Sequence, residues 1–375
     1  MKGNIQQRGP RTWRLRYDVP SPEGRKQVSE TVRGNKRDAQ RTLRERLAAI
    51  DKGIYIERSE EAAGKYLERW LEVHSTKVSI RTRVGYATCI NRFKQHFGAG
   101  ALQKLRPEHI QASYDSMLES GLTARTVLHS HRVLSQALKD AVKWGLILRN
   151  PADVVSPPRA EKKEATAWDS DTIKKFMDAA EGSRYRDAYS LAALTGMRRS
   201  ELAGLKWPDI DLKSGRLRVV RTRQRIYGHG IVEGQPKTHR SRRSVALSPS
   251  AVSVLDSVKT KQIEMRLRAG PLWQHTDYVL TKDDGAPIAP DHLSREFSRI
   301  VKEAGLPKGT LHGLRHSYAT ALLSANVHPA VVQSALGHSS ITLTIDTYSH
   351  VMPGLEEAAA RRIDDVLGDA VAGNS

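Results

Sequence analysis

The stretch Leu311-His312-Gly313-Leu314-Arg315-His316-Ser317 decides the interpretation of this chain of 375 residues. It places an imidazole three residues before a guanidinium, and residues at that spacing are neighbours on one face of a helix. An arginine can grip the non-bridging oxygens of a phosphodiester through charge-assisted hydrogen bonds, and a histidine can accept a proton there. His312 alone also fits a buried structural histidine, so the meaning of the stretch depends on the rest of the chain.

Three further clusters of basic and nucleophilic residues accompany this stretch. Together they supply guanidiniums that can neutralise charge on phosphorus, a lysine that can protonate a leaving alkoxide, and a tyrosine that can act as a nucleophile. No phosphate-binding glycine loop ending in Lys-Ser or Lys-Thr is present, and no cluster has a convincing metal-ligand spacing, although the residues alone leave metal catalysis open. The clusters are Thr195–Leu202 with Arg198 and Glu201, Pro236–Thr238 with Lys237 and the following Arg240, Arg242 and Arg243, and Leu336–Ser340 with His338, ten residues before Tyr348.

Each cluster has an ordinary structural explanation when it is taken alone. Arg198 could pair with Glu201 on a helix surface, Lys237 could lie in a solvated hairpin loop, and Tyr348 could pack in a core. The order and spacing of all four clusters favour a common site for phosphoryl transfer.

The composition favours a polyanionic partner. Sixty-one Lys and Arg against 41 Asp and Glu give a net charge of +20 and a pI near 10.1, as in proteins that bind nucleic acid or an anionic membrane. A hydrophobic content of 39% is sufficient for packed cores. The single cysteine, Cys89, excludes an intrachain disulfide framework and a cysteine-based zinc site. No long apolar run or apolar signal region is present, so we expect a cytoplasmic DNA-binding protein without membrane association.

The N-terminal residues predict a small, basic α+β domain. Residues 1–58 hold fifteen Lys and Arg against seven Asp and Glu. Three strands are predicted, followed by a helix that begins after Asn35 as its N-cap. Arg14, Arg16 and Lys26 on this sheet are predicted to lie in a DNA groove. The strand segments are Gly3–Arg8, Thr12–Val19 and Lys26–Val32.

The remainder predicts a helical domain, a linker and a larger mixed domain. Residues 59–150 are all-α in pattern, with Pro107 at a first helical position, and Arg132 and Lys139 on the outer face of the last helix are predicted phosphate contacts. A polar, proline-bearing linker covers 151–166. Residues 167–352 then predict a mainly helical α+β domain with three β-rich segments. These are Arg216–Val220, Ile226–Val232 and Ser244–Leu247.

The four clusters resemble those of the tyrosine recombinases, also called phage integrases. They follow that family's order of arginine, lysine, His-x-x-Arg, histidine and tyrosine over about 150 residues. The resemblance assigns Arg198 and Arg315 as the phosphate clamp, Lys237 as the general acid for the 5′ oxygen, and His312 as the proton acceptor. It also assigns His338 to the family's histidine-or-tryptophan position, Tyr348 as the nucleophile and Glu201 as a supporting acid.

The resemblance extends to the other domains. Residues 59–150 resemble the core-binding domain that closes over DNA from the opposite face, and residues 1–57 resemble the arm-binding domain of longer integrases. Shorter chromosome-dimer-resolving relatives lack the latter domain, so its presence favours the integrase of a mobile element. Arg240 and Arg242, close to Lys237, are further predicted DNA contacts.

The resemblance also implies a reaction and its partners. Such enzymes act as homotetramers on double-stranded core and arm sites, through a 3′-phosphotyrosine and a Holliday junction, and need no metal or ATP. A directionality factor and a DNA-bending protein are expected partners, and the bacterial nucleoid is the expected location. The alternatives are a chromosome or plasmid dimer resolvase, a type IB topoisomerase, and a DNA-binding regulator that has lost catalysis.

The C-terminal tail, residues 353–375, departs from the basic character of the chain. It carries five acids against two arginines, and Leu355, Ile363 and Leu367 roughly share one helical face. We expect this tail to dock on a neighbouring subunit and to gate cleavage. The alternative is that it folds back on its own domain.

Overall fold

The chain forms two compact units, Met1–Glu161 and Lys162–Ser375. The computed structural model describes residues 3–21, 24–53, 55–161, 167–236, 241–337, 340, 363 and 367. Helices dominate, and the strands form small antiparallel sheets, so the predicted multidomain α+β class is confirmed. Within the described residues, no helix is both long and apolar enough to cross a bilayer.

The first unit begins with a three-stranded antiparallel sheet and a helix, as predicted. Alternate residues of the central strand, Leu15, Tyr17 and Val19, are buried against the helix because successive side chains point to opposite faces of a sheet. Asn35 caps the helix, accepting a hydrogen bond from the Asp38 backbone N–H at 2.9 Å. The elements are β1 (Gly3–Gly9), β2 (Thr12–Ser21), β3 (Gly24–Arg33) and α1 (Lys36–Asp51), in the sheet order β1-β2-β3.

Four α-helices and two short 3-10 helices make up most of the remaining described residues of the first unit. Their core includes the fully buried aromatic rings of Tyr66, Trp70 and Tyr114. The polar tips of these rings find partners, as buried tyrosine and tryptophan require: the Trp70 indole N–H donates to Asp140 at 2.8 Å. Pro107 occupies the first helical position that its sequence context predicts. The α-helices are α2 (Ala63–Ser75), α3 (Ile80–Phe97), α4 (Pro107–Glu119) and α5 (Ala124–Lys143).

The second unit surrounds a three-stranded sheet with helices. Trp168, Phe176, Tyr189 and Phe297 pack together in its core. The elements are α6 (Ser170–Ala179), α7 (Arg186–Thr195), α8 (Arg199–Leu202), β4 (Ile210–Asp211), β5 (Arg216–Val219), β6 (Thr222–Ile226), β7 (Gly230–Gly234), β8 (Arg243–Ala246), α9 (Pro249–Ala269), α10 (Pro290–Glu303), α11 (Leu311–Ser324) and α12 (Pro329–Leu336). The sheet has the order β4-β5-β8, and β6 and β7 form a separate hairpin.

The β6–β7 hairpin differs in detail from the predicted β-rich segment Ile226–Val232. Strand β6 ends where that segment begins, and a turn intervenes before β7. Gly228 and Gly230 have φ of 75° and 69°, left-handed values that glycine adopts without steric cost. The two glycines therefore divide the segment into a turn and the start of a strand.

Candidate active site

Helix α7 ends in a tight turn that presents Arg198. Gly196 closes the helix with φ of 59°, and a Cβ added there would lie 2.5 Å from Cδ1 of Tyr318. Only glycine satisfies both the left-handed backbone and this close approach. Arg198 follows as the N-cap residue of α8, and its backbone N–H donates to Oε2 of Glu201 at 2.9 Å. The turn therefore fixes the backbone from which the Arg198 guanidinium extends.

Glu201 is a buried carboxylate between two arginines. Its residue surface is 2% exposed, and its Oε1 accepts a hydrogen bond from Nη1 of Arg198 at 2.7 Å. Nη1 and Nη2 of Arg243 donate to the two carboxylate oxygens at 3.2 and 3.0 Å. Burial raises the pKa of Glu201, but the charges and hydrogen bonds of Arg243 and Arg198 outweigh it, so the net pKa is lowered. Glu201 is therefore ionised at neutral pH.

Arg315 connects two helix ends that are distant in sequence. Its Nη1 donates to the Gly196 carbonyl at 2.7 Å, across 119 residues, and its Nη2 donates to the Leu336 carbonyl at 2.6 Å. Its surface is only 2% exposed. Because the last carbonyls of a helix lack intrahelical partners and carry partial negative charge, a buried guanidinium stabilises both ends. Arg315 therefore holds the end of α7 against the end of α12.

His312 lies in the first turn of α11, close to both predicted clamp arginines. Its ring meets that of His316 edge-on, with centroids 5.0 Å apart. Its residue surface is exposed overall, but its surroundings partly remove water from the ring. This partial desolvation is the largest of the causes that lower the pKa of His312 to about 4, and the charges of His316, Arg315 and Arg198 add to it. The neutral imidazole at neutral pH can accept a proton.

The lowered pKa of His312 predicts a loss of stability in mild acid. Between pH 6.5 and about 4 the unfolded chain binds a proton at this residue that the folded chain does not, so the free energy of unfolding falls as the pH falls. Since the ring is exposed, we expect a contribution of about 1 kcal/mol. Thermal unfolding at several pH values should show a shallower slope for His312→Gln than for wild type. Equal slopes of stability against pH in the two proteins would contradict the lowered pKa of His312.

Several predicted site residues lie outside the described residues. These are Lys237, Arg240, His338 and Tyr348, together with nearly all of the C-terminal tail. The structure describes the chain on either side of them, up to Pro236 and again from Ser241, and up to Gly337 at the end of α12. It brings together Arg198, Glu201, His312 and Arg315 in one part of the second unit.

The N-terminal sheet separates the three basic residues predicted to enter a DNA groove. Arg14 and Arg16 alternate with buried Leu15 and Tyr17, so they lie on the face turned away from α1. Lys26 pairs in register with Val19 on the opposite face, and its Nζ forms an ion pair with Glu57 at 2.9 Å. All three residues therefore lie on the predicted sheet, with Lys26 on the opposite face from Arg14 and Arg16, and their contact with DNA stays a prediction.

The other predicted DNA contacts are on exposed surfaces. Arg132 and Lys139 lie on the outer face of α5, and neither forms an ion pair with an acidic residue in the described part of the chain. Arg242 is exposed just before β8 and donates to the side chain of Gln235. These positions are compatible with contacts to a phosphate backbone.

Sequence reasoning missed the role of Arg243. It was grouped with Arg240 and Arg242 as part of one basic loop, whereas its side chain is 4% exposed and pairs with Glu201. The available signal was the alternation along β8, in which Arg243 shares a face with Val245 while Ser244 points outward. A charged residue on the buried face of a strand needs a buried partner, and Glu201 is that partner.

Comparison with known proteins identifies the family that the sequence clusters resemble. Residues 167–354 match the model of the phage integrase family, which is half of the chain, and residues 64–118 match the phage integrase N-terminal SAM-like domain. The chain belongs to the phage integrase family. This integrase is therefore a site-specific DNA recombinase, as the resemblance in its sequence implied.

Relatives extend the similarity over the whole chain. A tyrosine recombinase XerC-like protein of Caldanaerobacter subterraneus is 28% identical over 98% of this integrase and 99% of its own length. The ICEBs1 integrase of Bacillus subtilis is 28% identical over 72% of this chain and 74% of its own. A lambda integrase tetramer bound to a Holliday junction has a similar fold, with a TM-score of 0.58, 21% identity and coverage of 90% of this chain and 96% of that one.

Proposed function

We propose that this integrase inserts a phage or other mobile element into a bacterial chromosome, and excises it, with Tyr348 as the nucleophile. One observation carries the proposal: the fold brings His312 and Arg315 of α11 to Arg198 at the end of α7, although more than a hundred residues separate the two helices. Two guanidiniums and a neutral imidazole form the set that a phosphodiester displacement without a metal requires.

In the proposed first step, the Tyr348 oxygen attacks the scissile phosphorus. A bond forms between that oxygen and phosphorus as the bond from phosphorus to the 5′ oxygen breaks. His312 accepts the tyrosine proton, and Lys237 protonates the departing 5′ oxygen. Arg198 and Arg315 offset the charge that develops on the non-bridging oxygens.

The second step reverses the first with a different strand. A 5′ hydroxyl from the partner duplex attacks the phosphotyrosine, restoring the tyrosine and a phosphodiester. Because the covalent link keeps the energy of the broken bond, ATP is not needed, and we propose that no metal is needed either.

The proposed partners are double-stranded core and arm sites, three further copies of this chain, a directionality factor and a DNA-bending protein. Residues 1–57 would bind arm sites, residues 59–150 and 167–352 would enclose the core site across the linker 151–166, and the tail 353–375 would dock on a neighbouring subunit. The tetramer on a Holliday junction known for lambda integrase supports the assembly. Since the substrate is chromosomal DNA, we place the enzyme in the cytoplasm, at the bacterial nucleoid.

A mobile-element integrase is favoured over a dimer resolvase. The ICEBs1 integrase among its relatives supports this role, and so does the N-terminal sheet, with Arg14 and Arg16 on the face away from α1. In register, these arginines lie beside Gln6, Asn4, Thr31 and Ser29, so this part of the face is polar. Such side chains can donate to phosphates and to base edges.

Substitutions on the two faces of the sheet are expected to affect DNA affinity differently. Arg16→Ala should reduce the slope of log affinity against log salt concentration by about one, because one phosphate contact is lost. Lys26→Ala should leave that slope unchanged, because Lys26 pairs with Glu57 on the opposite face. Fluorescence anisotropy on a labelled duplex at several salt concentrations measures both. An equal effect of the two variants would contradict the assignment of faces.

The proposed function is tested with nicked duplexes made from the DNA that flanks the gene. On such a substrate the released fragment diffuses away, so cleavage leaves a covalent protein–DNA adduct that survives SDS. We expect wild type to form this adduct in the presence of a metal chelator and without ATP. Tight, salt-sensitive binding with no adduct on any flanking duplex would favour the DNA-binding regulator instead.

A further inference from the structure

The carboxylate of Glu201 receives hydrogen bonds from both arginines at each of its oxygens. Oε1 accepts from Nη1 of Arg198 and Nη1 of Arg243, and Oε2 accepts from the Arg198 backbone N–H and Nη2 of Arg243. Both Glu201 and Arg243 are almost fully buried, with side chains 1% and 4% exposed, whereas the Arg198 side chain is 34% exposed. Of the three charges, only that of Arg198 faces solvent to any extent.

This arrangement determines how much positive charge Arg198 can offer to a phosphate. If Glu201 were paired with Arg198 alone, the carboxylate would largely cancel the guanidinium charge nearby. Arg243 supplies a second positive charge from the interior, so the three groups together carry a net charge of +1. Because the low-dielectric interior screens poorly, this second charge acts strongly on Glu201.

Arg243 also holds the helix that leads to His338. Its Nε donates to the Ala335 carbonyl at 2.6 Å, next to the Leu336 carbonyl that Arg315 holds. The backbone N–H of Gly337 is directed at the carbonyls of Gln333 and Ser334. All four carbonyls at the end of α12 therefore have partners, and the two positively charged guanidiniums stabilise the negative end of the helix dipole.

The position of Arg243 in the chain adds a third connection. It begins β8, six residues after Lys237, and pairs in register with Val219 of the central strand β5. The strand that follows the Lys237 segment is thus joined through one side chain to the Arg198 turn and to the end of α12.

We infer that Arg243 is a positioning residue for recombination, one that balances the charge of Glu201 so that Arg198 keeps its own charge for the scissile phosphate. This inference rests on the proposed function. It predicts that loss of Arg243 weakens a step that depends on the negative charge of that phosphate, although Arg243 itself does not touch DNA.

The test compares two nicked duplexes that differ only at the scissile position. One carries the ordinary phosphate, and the other carries an uncharged methylphosphonate. We expect Arg243→Gln to slow adduct formation on the phosphate on the order of 10²-fold, in the range for a lost charge-stabilising donor. On the methylphosphonate the loss should be only a few fold. A purely structural defect would reduce both rates equally.

Conservative and control variants sharpen this comparison. Arg243→Lys retains the charge but not the forked geometry, so its rate on the phosphate should lie between those of wild type and Arg243→Gln. Arg218→Gln removes an exposed arginine from the neighbouring strand β5, and we expect wild-type rates on both substrates.

A double variant covers the case in which Arg243→Gln does not fold. Removing one partner of a buried pair leaves an uncompensated charge, whereas removing both does not. Glu201→Gln/Arg243→Met should therefore fold, and its loss of rate on the phosphate substrate relative to wild type should be at least about tenfold smaller than the loss on the order of 10²-fold that is expected when Glu201 is left unbalanced. A folded double variant with no such recovery would overturn the inference.

The remaining outcomes separate the inference from the proposed function. Equal losses on phosphate and methylphosphonate, with wild type active, would overturn the role of Arg243 alone. Wild-type protein that forms no adduct on the phosphate substrate would overturn the proposed function, and this inference with it.

Discussion

Replacement of Tyr348 by phenylalanine is expected to abolish the covalent adduct while leaving DNA affinity nearly unchanged. The substitution removes one oxygen, which in the proposed mechanism is the atom that attacks phosphorus, and no hydroxyl remains in its place. An unperturbed tyrosine has a pKa near 10, so the attack also needs a base, for which the neutral imidazole of His312 is suited. A rate reduction of more than about 10³-fold is expected, because the nucleophile itself is lost.

The measurement is an SDS gel of a nicked, labelled duplex, with affinity measured by anisotropy on the same DNA. Affinity is the control, because the lost hydroxyl could account for only one hydrogen bond among many phosphate contacts. An adduct formed by Tyr348→Phe would show that another residue is the nucleophile. A parallel loss of affinity would mean that the substitution had disturbed the DNA-binding surface.

Much of the fold could be predicted because its determinants are local. The β-forming residues of Thr12–Val19 predict a strand, and Asn35 and Pro107 mark where helices begin. These signals depend on a few neighbouring residues and on backbone preferences that hold in any protein. The α+β class follows from the same local patterns.

The faces and partners of charged residues depended on information that the local sequence does not carry. Lys26 was grouped with Arg14 and Arg16, but the register of β2 with β3 turns it to the other face. Arg243 resembled its neighbours Arg240 and Arg242 in composition, yet its partner Glu201 lies 42 residues away in the chain. Strand register and long-range pairing are set by tertiary packing, so only the folded chain distinguishes a buried arginine from an exposed one.

The pair Arg198 and Glu201 shows how one spacing supports two explanations. Three residues apart, they form the ion pair expected of a helix surface. The structure buries the carboxylate and adds Arg243 behind it, which makes the pair part of a larger charge arrangement. The structural explanation and the functional one therefore describe the same contact.

Arg315→Ala is expected to impair both stability and cleavage. The carbonyls of Gly196 and Leu336 would lose their buried donors, and each such loss costs about 1–3 kcal/mol, so the free energy of unfolding should fall by about 3 kcal/mol. Cleavage of the nicked duplex should slow by at least about 10³-fold, since a charged donor to the phosphate disappears as well.

Arg315→Lys separates these two effects. An ammonium keeps the positive charge near the end of α12 but cannot span both carbonyls, which Arg315 reaches with Nη1 and Nη2 at 2.7 and 2.6 Å. Thermal unfolding should therefore recover about half of the lost stability, because one carbonyl regains a donor, while single-turnover cleavage stays about 10²-fold slow without the forked geometry. If stability and cleavage recovered in proportion, Arg315 would act only as a tie between α7 and α12. Recovery of stability alone would assign the remaining loss to the phosphate.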